Sequence, residues 1–201
     1  MSVLTADYSW PATFTNAQTT TPPVPAVPGV ISRYLWGKAH RLLYHVSRAY
    51  CHFDPHIIQL PFGLVLKWTD RTSIEEAIAM QMALAAGMPV PRLLSCGEPV
   101  TPELKREVSI LMRRLPGLSL ENSSDPFERE HEGPWLEELK TCVDAMRQWE
   151  PPSQDSICSP VGTALCSSRV PNHIMGPFTD HDSFYRHLFA PTSQHGFRSI
   201  D

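Results

Sequence analysis

Long hydrophobic runs are missing from this 201-residue chain. No apolar stretch approaches the ~20 residues of a spanning helix, so helical membrane proteins drop out of the expected classes. The opening MSVLTADYSWPATF has neither a basic start nor an apolar core, so a secretory leader is not expected. A basic surplus is also missing. Seventeen Lys and Arg stand against 21 Asp and Glu, for a formal charge of −4 and a pI near 6.1. That balance argues against a nucleic-acid binder, and nine His residues would change it only below about pH 6.5. Paired cysteine motifs are absent too: Cys51, Cys96, Cys142, Cys158 and Cys166 are odd in number and form no CxxC. Cys158, Cys166 and His173 fit no zinc-module spacing, so reduced thiols in a cytoplasmic protein are expected. No internal repeat is visible.

What the chain does have is an ordinary hydrophobic fraction, 42%, enough for one domain or two small lobes. Its 20 prolines are about twice the usual share and mark the loops. Residues 1–29 end in TTTPPVPAVPG, a Thr/Pro-rich segment without periodicity that reads as a disordered tail. Order is expected from Val30. Ile31, Tyr34, Leu35, Leu42, Val46 and Ala49 recur at helical spacing, with Gly37 weakening the helix. In HIIQLPFGLVLKW two short apolar runs flank Pro61-Phe62-Gly63, which predicts a hairpin with Lys67 on its second strand. A helix follows. Thr72 and Ser73 are both placed to cap it, with Glu75 and Glu76 at capping-box spacing. Ile74, Ala77, Ile78, Met82 and Ala85 form its stripe, Gly87 stops it, and Pro89 and Pro91 extend the backbone. PRLLSCGE and VSILMRRLPG read as two further strands. The expected fold class to this point is α+β.

From residue 118 the pattern changes. LSLENSSDPFEREHEG is loop-like, and PWLEELKTCVDAMRQWE is a helix with Pro134 in its first turn. A long irregular stretch then leads to a short helix in DHDSFYRHLF, with Asp180 or Asp182 near its start.

Lys67 is the informative residue. An ammonium inside an apolar strand must reach water, pair with a carboxylate, or meet an anionic ligand. The following helix offers Glu76 or Glu75, and helix phase does not choose between them. A pair of this kind could hold the lysine for the oxygens of a nucleoside triphosphate.

The blocks LPFGLVLKWTD, EEAIAM, MPVPRLLSCGE and ILMRRLPGLSL, in this order and spacing, resemble the N-terminal lobe of the aminoglycoside phosphotransferase family, which shares the protein-kinase-like fold with choline-kinase-like relatives. The resemblance covers roughly residues 56 to 120. NHIMGPFTDHDSFYRHLF resembles a later GPF-D-F segment of fungal members. It implies an antiparallel sheet plus one helix over 30–117, followed by an incomplete, mainly helical C-terminal lobe over 118–201. It implies that Lys67 contacts the α- and β-phosphates of ATP, that Glu76 orients it, and that Met112 and Arg113 approach the adenine at the hinge. Magnesium and a small-molecule hydroxyl acceptor are implied by the same likeness, and the acceptor's identity is not. No nucleic acid or membrane partner is expected.

Two parts of the family pattern are missing. The glycines before Lys67 are Gly29, Gly37 and Gly63, and they form no GxGxxG phosphate loop. The catalytic H-x-D-x4-N loop is absent: His181-Asp182 and His131-Glu132 do not supply it. Phosphoryl transfer rests on positioning and charge stabilisation, so an inactive, shortened phosphotransferase is expected. The alternative is a non-catalytic pseudokinase-like interaction module, with Trp135, Met146 and Trp149 as candidates for its apolar face.

Overall fold

The computed structural model describes residues 17–47, 57–69, 72–98, 108–115, 129–152, 155–166 and 174–189. It divides into two compact units, Met1–Glu150 and Pro151–Asp201.

The larger unit is mixed α and β. Helix α1 spans Val30–Ser47; strands β1 (Ile57–Leu60) and β2 (Leu64–Trp68) form the expected hairpin; helix α2 spans Ile74–Ala85; strands β3 (Leu93–Gly97) and β4 (Ser109–Arg113) follow; helix α3 spans Arg129–Met146. The four strands form one antiparallel sheet in the order β1-β2-β4-β3. At the hairpin turn Phe62 and Gly63 both take left-handed backbone, φ 63° and 67°. Glycine does this freely, while Phe62, 98% exposed, bears the steric cost.

Strand alternation sorts the side chains onto two faces. On one, Val108, Ile110 and Cys96 pack with Ala77 of α2, with Ile74, Leu93 and Met112 around them. On the other, Ile58, Leu66 and Leu111 pack with Tyr44 of α1. The sheet therefore lies between two helices, both expected from periodicity, where the family resemblance implies one.

Helix α2 has a defined start and stop. The Ser73 side chain accepts a hydrogen bond from the Glu76 backbone N–H at 3.2 Å, while Thr72 is buried and its hydroxyl meets that of Thr69 at 2.9 Å. At the other end Gly87 (φ 79°) donates to the Leu84 carbonyl and Met88 to that of Ala83, the 5→2 and 6→1 pair of a Schellman ending. Its buried residues are Ala77, Ile78, Met82 and Ala83; Ala85, read as part of the stripe, is exposed.

Helix α1 forms as expected, and Ile31, Leu35, Leu42 and Val46 of its helically spaced apolar set are exposed. The sheet receives the opposite side. His40 and Ser47 are buried there, and Gly37 lies so close that a Cβ on Gly97 would stand 2.6 Å from its backbone nitrogen. The Arg33 guanidinium pairs with Glu98 at the edge. The physical reason is the small, polar surface of β3 and β4 beneath the helix: Ser95, Gly97 and Ser109 offer close approach and hydrogen bonds rather than apolar pockets. Ala49 lies outside the described residues.

Helix α3 starts at Arg129, ahead of the Pro134 expected in its first turn. Cys142 and Ala145 pack on Ala83, Ala86 and Met88. The Thr/Pro-rich leader, expected to be disordered, is extended over residues 17–29 and tied to this corner. Gln18 donates its N–H to the Ala86 carbonyl at 3.1 Å and its own carbonyl accepts from the Trp149 indole at 3.2 Å; Thr21 Oγ1 accepts from the Glu150 N–H at 2.6 Å.

The smaller unit holds a short antiparallel pair, β5 (Leu165–Cys166) with β6 (Ile174–Met175), and helix α4 (His181–Phe189). Asp180 caps α4 by accepting from the Ser183 N–H at 2.6 Å, and this bond with the Thr179 hydroxyl holds its carboxyl below the usual range. Phe178 stacks edge-on to Phe184 with ring centres 5.5 Å apart.

Candidate functional site

Lys67 takes its direction from strand alternation. Leu66 is wholly buried on the α1 face, so Lys67 and Val65 point to the α2 face. β2 is an inner strand, and Lys67 stands between Ile57 on β1 and Ile110 on β4. The first turn of α2 passes over this position. Lys67 Nζ donates to Glu76 Oε1 at 2.6 Å, so the pairing left open between the two glutamates goes to Glu76. The Ser73 cap makes this possible: it takes the Glu76 backbone N–H, while the Glu76 side chain reaches the strand instead of folding back on the cap.

The two side chains retain 27% and 33% of their exposure. At ~4 Å and an effective dielectric of about 20 a unit pair gains about 4 kcal/mol before desolvation. Much of that is lost to desolvation and screening, leaving about 1 kcal/mol or less of net stability. The pair is weak as a brace and good as a fixture: the ammonium is oriented, charged and open to a second anion.

Met112 shares this face. It lies opposite Val65 in the sheet and is half-buried against the cluster beneath α2. Arg113 does not converge with them. It pairs with Leu64, which faces α1, and its backbone N–H is already given to the Arg92 carbonyl at 2.9 Å. Arg114 donates its N–H to the Gly63 carbonyl at 2.8 Å and ties the hairpin turn to the end of β4. Pro116 and Gly117 lie outside the described residues.

The rest of the constellation is sparse. The turn before β2 carries only Gly63 where a phosphate loop has several glycines. Among the described residues no group of three His, Cys, Asp or Glu could hold a metal ion. Cys158 sits beside the Ser156 hydroxyl at 3.5 Å, Cys166 is exposed, and His173 lies outside the described residues. Burial pushes the Cys96 thiol up to about 11, which leaves it inert at neutral pH. His181 and Asp182 are in the first turn of α4. No helix among the described residues is long and apolar enough to cross a membrane.

Sequence reasoning missed His40. Its Nδ1 lies 2.8 Å from Ser109 Oγ and its Nε2 2.9 Å from Ser95 Oγ. Ser109 gives its proton to the Gly97 carbonyl, so it accepts from Nδ1–H, and Nε2 accepts from Ser95. The neutral ring is fully satisfied, and burial lowers its pKa from 6.5 to about 4. The available signal was two serines and a glycine on adjacent strands, a surface that invites a polar helix face.

No protein-family model, no curated protein and no solved structure matches this chain.

Proposed function

We propose that residues 30–117 form the nucleotide-holding lobe of an ATP-dependent small-molecule phosphotransferase of the aminoglycoside phosphotransferase type. The observation that carries this reading is the Lys67–Glu76 ion pair, which joins an inner strand to the first turn of the adjoining helix and leaves both side chains partly exposed. Met112, half-buried on the same face, supplies apolar surface beside it. The residues fit the polyphosphate and base of a nucleotide. Among the described residues no group of three His, Cys, Asp or Glu accompanies them.

Lys67 would neutralise α- and β-phosphate oxygens, and Glu76 would keep the ammonium from collapsing onto the strand. ATP brings the transferable phosphoryl group. Neither side chain can take the proton of an acceptor hydroxyl, and the sequence contains no H-x-D-x4-N to do so. The function assigned to this chain is therefore nucleotide binding without efficient turnover. The acceptor is a hydroxyl compound of unassigned identity.

The test is thermal unfolding with and without ATP. At 100 times its Kd a ligand adds ~2.7 kcal/mol, a rise of about 5–10 °C for a chain of this size. Lys67→Ala should remove that rise and leave the unliganded melting temperature nearly unchanged. A flat response in the native chain defeats the reading.

A second reading, a non-catalytic interaction module, draws on α3. Leu136, Leu139 and Met146 are 44%, 53% and 40% exposed along it. Trp149, expected on the same face, is partly covered and bonded to the leader, and the Trp135 side chain lies outside what the structure describes.

A further inference from the structure

Because α1 turns its polar side to the sheet, its outward side is apolar. Ile31, Leu35, Leu42 and Val46 are 78%, 60%, 65% and 52% exposed. Their spacings of four, seven and four residues align them in one stripe along the helix, opposite the buried His40 and Ser47. An exposed apolar stripe on an outer surface is a mark of an interaction site.

The charge beside the stripe has one sign. Helix α1 contains Arg33, Lys38 and Arg41 and neither Asp nor Glu. Arg33 is engaged by Glu98, while Lys38 and Arg41 are exposed. Lys38 stands between Leu35 and Leu42 on the helix surface, and its Nζ is carried back over the Tyr34 ring, 4.6 Å from the ring centre. The whole chain is acidic, at −4, so this cationic, acid-free surface is a local feature.

We infer that this face of α1 docks on an anionic lipid bilayer. The helix lies in the plane of the interface, with Ile31, Leu35, Leu42 and Val46 against the acyl chains and Lys38 and Arg41 at the headgroup phosphates. An amphipathic helix with an exposed apolar stripe and basic residues has the two components such binding needs, buried apolar area and attraction to anionic lipid. The sequence reading expects no membrane partner because no span is present; a helix lying flat needs no span. A second copy of the chain suits the face less well. In a two-fold antiparallel pairing each flank meets itself, setting Lys38 and Arg41 against their duplicates. The inference is independent of the nucleotide reading, since Lys67 and Glu76 lie on the other face of the sheet.

Co-sedimentation of the full chain with vesicles tests it, using phosphatidylcholine alone or with about 30% phosphatidylserine, a level typical of an anionic leaflet. Binding to the phosphatidylserine vesicles is expected, weakened by high salt. The pair Lys38→Gln with Arg41→Gln should reduce affinity about 30-fold. Leu35→Ser with Leu42→Ser should abolish binding while leaving the melting temperature in place, because both side chains are exposed in solution. Failure to sediment with phosphatidylserine vesicles overturns the inference, as does binding that survives the serine pair. A concentration-dependent doubling of mass that the serine pair removes, without vesicle binding, also overturns it and assigns the stripe to a second copy.

Discussion

Helix α2 covers Ala77, Ile78, Met82 and Ala83, whereas α1, on the other face of the same sheet, covers Gly37, His40 and Ser47 and leaves its leucines in water. The sheet offers each helix a different surface. Towards α2 it shows Val108, Ile110 and Cys96, which reward apolar side chains of the right volume. Towards α1 it shows Ser95, Gly97 and Ser109 beside the Leu66–Leu111 cluster. Close packing and satisfied hydrogen bonds hold the second seam. Volume errors should injure the first seam most, and charge or backbone errors the second.

The largest expected effect is on the apolar seam. Ile78→Ala, at a side chain 1% exposed, should cost about 2–5 kcal/mol in denaturant unfolding. A loss near zero would show that α2 is not seated as described. Acid acts on the other seam. The folded pKa of His40 lies below its unfolded value, so the unfolded chain binds the extra proton. Stability from this site is complete above pH 6.5, falls as pH drops towards 4, and is level below that. The fall should be on the order of 3 kcal/mol, and His40→Gln should flatten that part of the profile. Next comes Gly97→Ala, whose methyl would strike the Gly37 backbone; about 1–3 kcal/mol should be lost, with Gly37→Ala similar. The smallest effect belongs to the outer side of α1. Leu42→Ser should change stability by no more than about 0.5 kcal/mol, the inverse of what a core leucine would give. A loss of several kcal/mol there would mean that the helix faces the other way.

The same contrast explains what could be read from the residues. α2 was legible in its start, most of its stripe and its stop, because these are local signals within 16 residues of one another; the choice of Ser73 over Thr72 and the burial of Ala83 instead of Ala85 were not. The hairpin was legible from Pro61-Phe62-Gly63 between alternating runs, and it carried Lys67 to its strand. Glu76 was one of two choices, and the Ser73 cap decided between them. α1 was legible as a helix but its orientation was not. Periodicity shows that a helix has two unlike sides; it does not say which side meets the sheet when the partners, Ser95 and Ser109, are 55 and 69 residues away. The strand carrying Arg113 was likewise legible, while its register opposite Leu64 is not fixed by spacing alone.

The leader has a practical consequence. Its composition invites an investigator to shorten the chain to Val30 before expression, yet Gln18 and Thr21 fasten the end of α2 to the residues just after α3. Such trimming would cut the strap that keeps the two helix ends together and would uncover the indole of Trp149. Any loss of behaviour in the shortened protein would then say more about that missing fastening than about the lobe itself.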